Sequence, residues 1–226
     1  MKSLEEISAT NELVEIVSLT PDAEKTIVYC ARVSNPSNQT NFNSASKLIA
    51  YLIANKHWSP FEMAHLTLQI KTSRGISPQI LRHRSFTFQE FSQRYAAVDE
   101  KTGLVLYVAR RQDKKNRQNS LDDISDEVKA EWEKRQQDNW KTSFEHYQWA
   151  LDHEIAKECA RMVLPLGTST TLYMSGSVRS WIHYIETRAD VSTQKEHRDI
   201  AEAAKKIFVE SLPDIASAMS WTTSEL

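Results

Sequence analysis

A chain of 226 residues, 40% hydrophobic and 26% charged, has the length and composition of a water-soluble protein that fills one core. Its formal charge of -2 excludes a surface dominated by nucleic-acid polymer but leaves room for local anion sites. The polar, acidic N-terminus and the lack of a membrane-length apolar run point to a cytoplasmic protein with no membrane segment.

In chain order, the branched run Leu13 to Thr20 reads as a strand, and Pro21-Asp22 opens a helix with Ile27, Val28 and Ala31 on its apolar face. Ser34 to Asn43 is a loop by its turn residues, and Ser44 to Lys56 a second helix carrying Leu48, Ile49, Leu52 and Ile53. In His65 to Ser73, Leu66, Leu68 and Ile70 alternate with polar residues, the period of a half-buried strand. Ile76 to Leu81 forms a short helix, and Leu104 to Val108 reads as another strand. Arg110 to Ser120 lacks apolar periodicity, which leaves a solvated loop or a mobile basic flap. From Ser125 a helical pattern runs to about Met162 and is stopped by Pro165. Its Trp132, Trp140, Phe144, Tyr147 and Trp149 suit core or subunit packing better than base stacking. Thr168 to Met174 is β-branched, and helices follow near Val178 to Thr187 and Thr193 to Ser211.

Together these predict one α+β domain over residues 1–226, with a central, mainly antiparallel sheet flanked by helices, one of them long. Cys30 and Cys159 lie in helix-like apolar surroundings, where a buried thiol is expected, and neither has zinc-ligand spacing.

Four segments carry candidate chemistry. Arg82-His83-Arg84 with Ser92 and Arg94 concentrates cations that Glu90 alone does not balance, which suits an anion bound by arginine's planar fork. The second segment is HWSPFE, His57 to Glu62. Pro60 holds Ser59 extended, where the hydroxyl can cap the next turn, and His57 is left without a structural reason. In ARMVLP, Arg161 beside an apolar strip either reaches solvent or meets a buried anion. In Ser177 to Asp190, Arg179 and His183 share a helix face, whereas Arg188 points about 180° away. Two basic surfaces suit two ligands or two subunits.

RHRSFTFQEFSQRY (Arg82 to Tyr95) resembles the signature of the flavin-dependent thymidylate synthases: RHR, seven residues, Ser, one residue, Arg-Tyr. The other three segments resemble the same family's, in the same order. The resemblance implies reductive methylation of dUMP to dTMP, with FAD as cofactor, methylene-tetrahydrofolate as carbon donor and NADPH as reductant. It also implies a homotetramer with sites between subunits, and no metal. It places FAD on Ser34, Ser59, Glu62, Arg82, His83, Arg84, Glu90, Ser177, Arg179 and His183. It places dUMP on Gln79, Arg82, Glu90, Ser92, Gln93, Arg94, Arg161 and Arg188, with Arg188 catalytic, and it sets His57 near the folate. Thr87, Gln89, Ser177 and His183 depart from the usual residues but keep hydrogen-bonding ability. Ser92 has no evident His or Asp partner, so it reads as a phosphate ligand in preference to a nucleophile. Two rivals are a nucleotide- or RNA-binding module and a metal hydrolase built on His57, His83 and His183. The first predicts a colourless protein with salt-sensitive binding, and the second lacks grouped carboxylates.

Overall fold

The structure, a computed structural model, describes residues 2–9 and 12–221. It opens with α1 (Leu4–Ala9), β1 (Val14–Leu19), α2 (Ala23–Ala31) and α3 (Ala45–Ala54). Next come β2 (His65–Ser73), α4 (Ser77–Ile80), β3 (Thr87–Glu90) and a hairpin of β4 (Arg111–Gln112) and β5 (Ser120–Leu121). The remainder is α5 (Asp126–Asp152), α6 (Lys157–Ala160), β6 (Ser169–Ser177), α7 (Val178–Arg188), α8 (Lys195–Ser211) and α9 (Pro213–Ala218).

The alternation in HLTLQIKTS decides the centre of the molecule. Leu66, Leu68 and Ile70 are fully buried on one face of β2, as alternate strand residues must be. β2 pairs with β1 on one side and β6 on the other, and β3 adds to β6. The sheet order is therefore β1-β2-β6-β3, antiparallel throughout. The β2–β6 register is unbroken from His65↔Ser177 to Ser73↔Ser169.

Helices cover the apolar face. Ile27 and Val28 of α2, Ile49 of α3, Trp181 and Ile185 of α7, and Ile200 and Phe208 of α8 join Leu66, Leu68 and Ile70 in one core. Each such side chain contributes about 1.5–3 kcal/mol by leaving water. Trp181 buries its ring and satisfies its indole N–H on the Leu66 carbonyl at 2.9 Å. A smaller core of Val98, Trp140, Tyr147, Ala150 and Ala160 fixes α5 to the chain after β3. Among the described residues no helix is long and apolar enough to cross a membrane.

Several expectations need correction. Leu104 to Val108 is not a strand: only Leu104 makes an isolated bridge, to Thr168. β3 has no counterpart in the sequence reading. The long helix stops at Asp152, ten residues short, where Glu154 takes a left-handed φ of 58°. His153 also turns back there, bonding the Trp149 carbonyl at 2.8 Å and stacking on its ring. Cys159 is exposed, because α6 is a single turn on the surface, and Cys30 near the end of α2 is only partly covered. Of the aromatics expected to pack in a core or between subunits, Trp140 and Tyr147 are buried in the core, and Trp132 and Trp149 are exposed on the single chain. Arg110 to Ser120 is neither bare loop nor free flap. It closes as the β4–β5 hairpin and is tied down by ion pairs from Arg110 to Glu196 and from Arg111 to Asp123.

Candidate active site

β6 passes directly into α7, and the junction builds one half of the site. Ser177 caps α7, accepting from the Ser180 amide at 3.2 Å. Two residues on, the Arg179 guanidinium meets Glu62 at 2.9 Å, carried there by the turn Ser59–Met63 that leads into β2. Burial pulls the Glu62 carboxyl upward. Hydrogen bonds from Ser177 and Arg179, with the Arg179 charge, outweigh it and hold the group below the usual carboxylate value. Glu62, Arg179 and His183 line one cavity of about 580 Å³ with Trp58, Ser85 and Glu186. Arg82 and Arg84 precede Ser85, which lines the same cavity. Both are exposed, and neither has an ion-pair partner among the described residues. Ser34 lies at the start of the loop after α2, which Arg32 braces through the Asn38 carbonyl, the Asn41 carbonyl and Ser44.

His83 separates this half from Arg188. Its Nε2 accepts from Arg188 Nε at 2.9 Å, so the ring proton sits on Nδ1. Burial, then the charge of Arg188, then His183, lower the His83 pKa from 6.5 to about 4, and the ring is neutral at pH 7. Behind it lies His197, fully buried and 3.2 Å from the Tyr184 hydroxyl, with no partner for Nδ1 among the described residues. Its pKa is likewise lowered to about 4, by burial first and then by Arg188 and His83. Arg188 thus leans on a neutral acceptor, with no carboxylate partner among the described residues.

The other half lies at the far end of β6. Glu90 receives Arg74 at 2.9 Å, Ser77 at 2.7 Å and Thr170 at 2.9 Å. Arg94 pairs with Glu158 at 3.1 Å, and the Ser92 hydroxyl accepts from the Arg94 amide at 3.3 Å. No histidine or carboxylate addresses Ser92 among the described residues. Arg74, Gln93 and Arg161 line a cavity of about 290 Å³, and each keeps a buried N–H donor with no acceptor among the described residues. Three arginines against two glutamates leave one cation uncompensated, and Arg161 has no ion pair among the described residues. A bound anion would satisfy this donor set.

One chain therefore brings Glu62, Ser177, Arg179 and His183 together, and separately Glu90, Ser92, Gln93, Arg94 and Arg161. Glu90, expected to touch both ligands, sits with the second group. Gln79 and Arg188 belong to neither cavity. His57 stands at the end of α3, exposed, with its ring edge-on to Tyr51. Among the described residues no group of His, Cys, Asp or Glu is arranged to hold a metal ion. The sequence reading missed Arg74, Gln194, Glu196 and His197. Arg74 and His197 carry no local signal, because the partners that make them notable come from other elements.

The family profile described as "Thymidylate synthase complementing protein" matches residues 15–214. The chain is 54% identical over 215 residues to a protein of Paramecium bursaria Chlorella virus 1 named "Probable flavin-dependent thymidylate synthase", covering 95% of this chain and 97% of that one. It is 53% identical over 215 residues to the "Flavin-dependent thymidylate synthase" of a Synechocystis species, covering 95% and 98%. In structure it resembles a UMP/dUMP methylase from Streptomyces cacaoi bound with 5-Br dUMP. The TM-score is 0.80 at 27% identity, over 92% of this chain and 93% of that one.

Proposed function

The chain belongs to the flavin-dependent thymidylate synthases, and from that premise we propose which of its residues serve the flavin and which the nucleotide. The enzyme converts dUMP to dTMP with FAD as cofactor, methylene-tetrahydrofolate as carbon donor and NADPH as reductant. Bound FAD supplies the hydride for this reductive methylation.

The residues present fit that cofactor. Arg82 and Arg84, exposed and without carboxylate partners among the described residues, are a donor set for a diphosphate, next to the cavity of Glu62, Arg179 and His183. We assign the hydroxyls of Ser34, Ser59 and Ser177 to the flavin as well, and Glu62 fixes the Arg179 guanidinium. We assign dUMP to Gln79, Arg82, Glu90, Ser92, Gln93, Arg94, Arg161 and Arg188, with the phosphate on Arg161 and the Ser92–Arg94 turn. His57 is assigned to the folate side.

The observation that carries the mechanism is the bond from Arg188 to a neutral His83. A carboxylate partner would cancel the cation, whereas a neutral imidazole orients it and leaves its charge for the substrate. Against uracil, that fixed charge stabilises negative charge developing on the ring. Arginine stays protonated, so Arg188 is an electrostatic stabiliser and not a base. Neither cysteine lines the two cavities that hold candidate residues, in keeping with a route that needs no thiolate nucleophile.

The two clusters on one chain support a site completed by a neighbouring copy, and we propose the homotetramer on that ground. We place it in the cytoplasm, where free nucleotides are available. An absorbance spectrum tests the cofactor: the purified protein is yellow and bleaches with NADPH, faster when dUMP is present. A folded preparation with neither flavin nor FAD affinity would overturn the assignment.

A further inference from the structure

Gln79 is joined to the basic hairpin by a chain of hydrogen bonds. Its Nε2 donates to Gln194 Oε1 at 2.7 Å, and Gln194 Nε2 donates to Glu196 Oε2 at 2.9 Å. The second Glu196 oxygen meets Arg110 at 2.6 Å, both side chains being about five-sixths enclosed at 14% and 16% exposure. Arg110 Nε then donates to Ser120 Oγ at 2.9 Å, across the base of the hairpin.

The chain has a direction. A carboxylate only accepts hydrogen bonds, so Gln194 must turn its NH2 to Glu196 and its carbonyl oxygen to Gln79. Gln79 must then spend an N–H on Gln194, and the end of its amide facing away is Oε1. Reversing either amide would set a carbonyl oxygen against the Glu196 carboxylate. Losing a charge-assisted bond in this way biases the orientation by roughly ten- to a hundredfold. Arg110 keeps Glu196 charged: burial raises its pKa, but the bonds from Arg110 and Gln194 outweigh this and leave it lowered.

We propose that Gln194 and Glu196 are positioning residues that lock Gln79 with its carbonyl oxygen toward the nucleotide, so that Gln79 reads a hydrogen-bond donor of the substrate and not its phosphate. The donor is the sugar 3′-hydroxyl or the uracil N3–H. This rests on the assignment of Gln79 to the dUMP site. It gives the hairpin an indirect part in recognition, through Arg110 and away from the ligand.

The test measures dissociation constants of the FAD-loaded enzyme for dUMP, for its 3′-deoxy analogue and for its N3-methyl analogue. In the unmodified enzyme one analogue binds weaker than dUMP by about two- to tenfold, and which one identifies the donor. In Glu196→Gln and Gln194→Ala the Gln79 amide populates both orientations about equally, and that ratio falls about twofold. In Arg161→Ala the affinity for dUMP drops while the ratio persists, which separates amide orientation from general weakening. Equal binding of all three ligands to the unmodified enzyme would overturn the proposal, as would an unchanged ratio in both relay variants. Failure of the unmodified enzyme to bind dUMP at all would instead remove the parent assignment, and this inference with it.

Discussion

His197 offers the sharpest test of the interior, because its protonation belongs to folding and not to catalysis. The ring is fully buried, and its pKa falls from 6.5 to about 4. A base whose folded pKa is depressed is protonated first in the unfolded chain. Its contribution to stability is therefore complete above pH 6.5 and is lost as the pH falls from 6.5 toward 4. Linkage with those two values gives a loss of about 2 kcal/mol at pH 5 and about 3 kcal/mol at pH 4. His83 shifts the same way but is only partly buried, so solvent screening makes its share smaller. Lowered carboxylates such as Glu62 and Asp190 lose their stabilisation only below the ordinary carboxylate range, and Glu24, raised by burial, acts in the opposite sense, so a fall in stability between pH 7.5 and 5 comes from the histidines. Urea unfolding followed by tryptophan fluorescence, at fixed protein and FAD concentration, measures the loss. His197→Phe lowers stability at pH 7.5 by about 1–3 kcal/mol, because the Tyr184 hydroxyl loses its partner, yet flattens the profile down to pH 5. Equal stability of the unmodified protein at pH 7.5 and 5 would refute the reasoning, and so would a variant with the original slope.

Other outcomes follow from the two clusters. Arg161→Ala should raise the dissociation constant for dUMP by about ten- to a hundredfold without affecting deoxyuridine, and calorimetry on both ligands checks it. Parallel losses would take Arg161 off the phosphate. Ser92→Ala should keep appreciable turnover, whereas complete loss with dUMP affinity intact would make Ser92 a nucleophile. Arg179→Ala should leave a purified protein with less flavin per chain, read from its visible absorbance. Gly176→Ala would place a methyl carbon 2.5 Å from the Phe86 ring and should cost about 1–3 kcal/mol. An unchanged melting temperature would contradict that packing.

Where the sequence speaks through local periodicity, it was legible. β2 was expected over His65 to Ser73, its observed bounds, because Leu66, Leu68 and Ile70 alternate without interruption. α7 and α8 were legible from their apolar spacing. β3 was not, since TFQE is four residues long and becomes a strand only by pairing with β6. The end of α5 was hidden because no glycine or proline marks it: Glu154 adopts the left-handed turn itself. In the site, the arginines were visible as charge, and the RHR segment drew attention to His83. What each arginine leans on was not visible. The Arg188–His83 bond joins residues 105 positions apart, and the Gln79–Gln194 bond residues 115 apart. Both depend on how α7 and α8 settle beside the sheet.

β6 has a genetic consequence. It runs from beside Thr168, which lines the cavity of Arg74, Gln93 and Arg161, to Ser177, which caps the helix carrying Arg179. At about 3.4 Å per residue, that is roughly 27 Å of rigid strand between two sets of ligands. Where a site takes one set from each of two copies, lesions at opposite ends of the strand need not share a site. Cells carrying an inactive Arg161 allele beside an inactive Arg179 allele would assemble mixed enzymes with both sets intact at about a quarter of sites. The two alleles would complement each other and restore growth without thymidine, while two lesions at the same end would not.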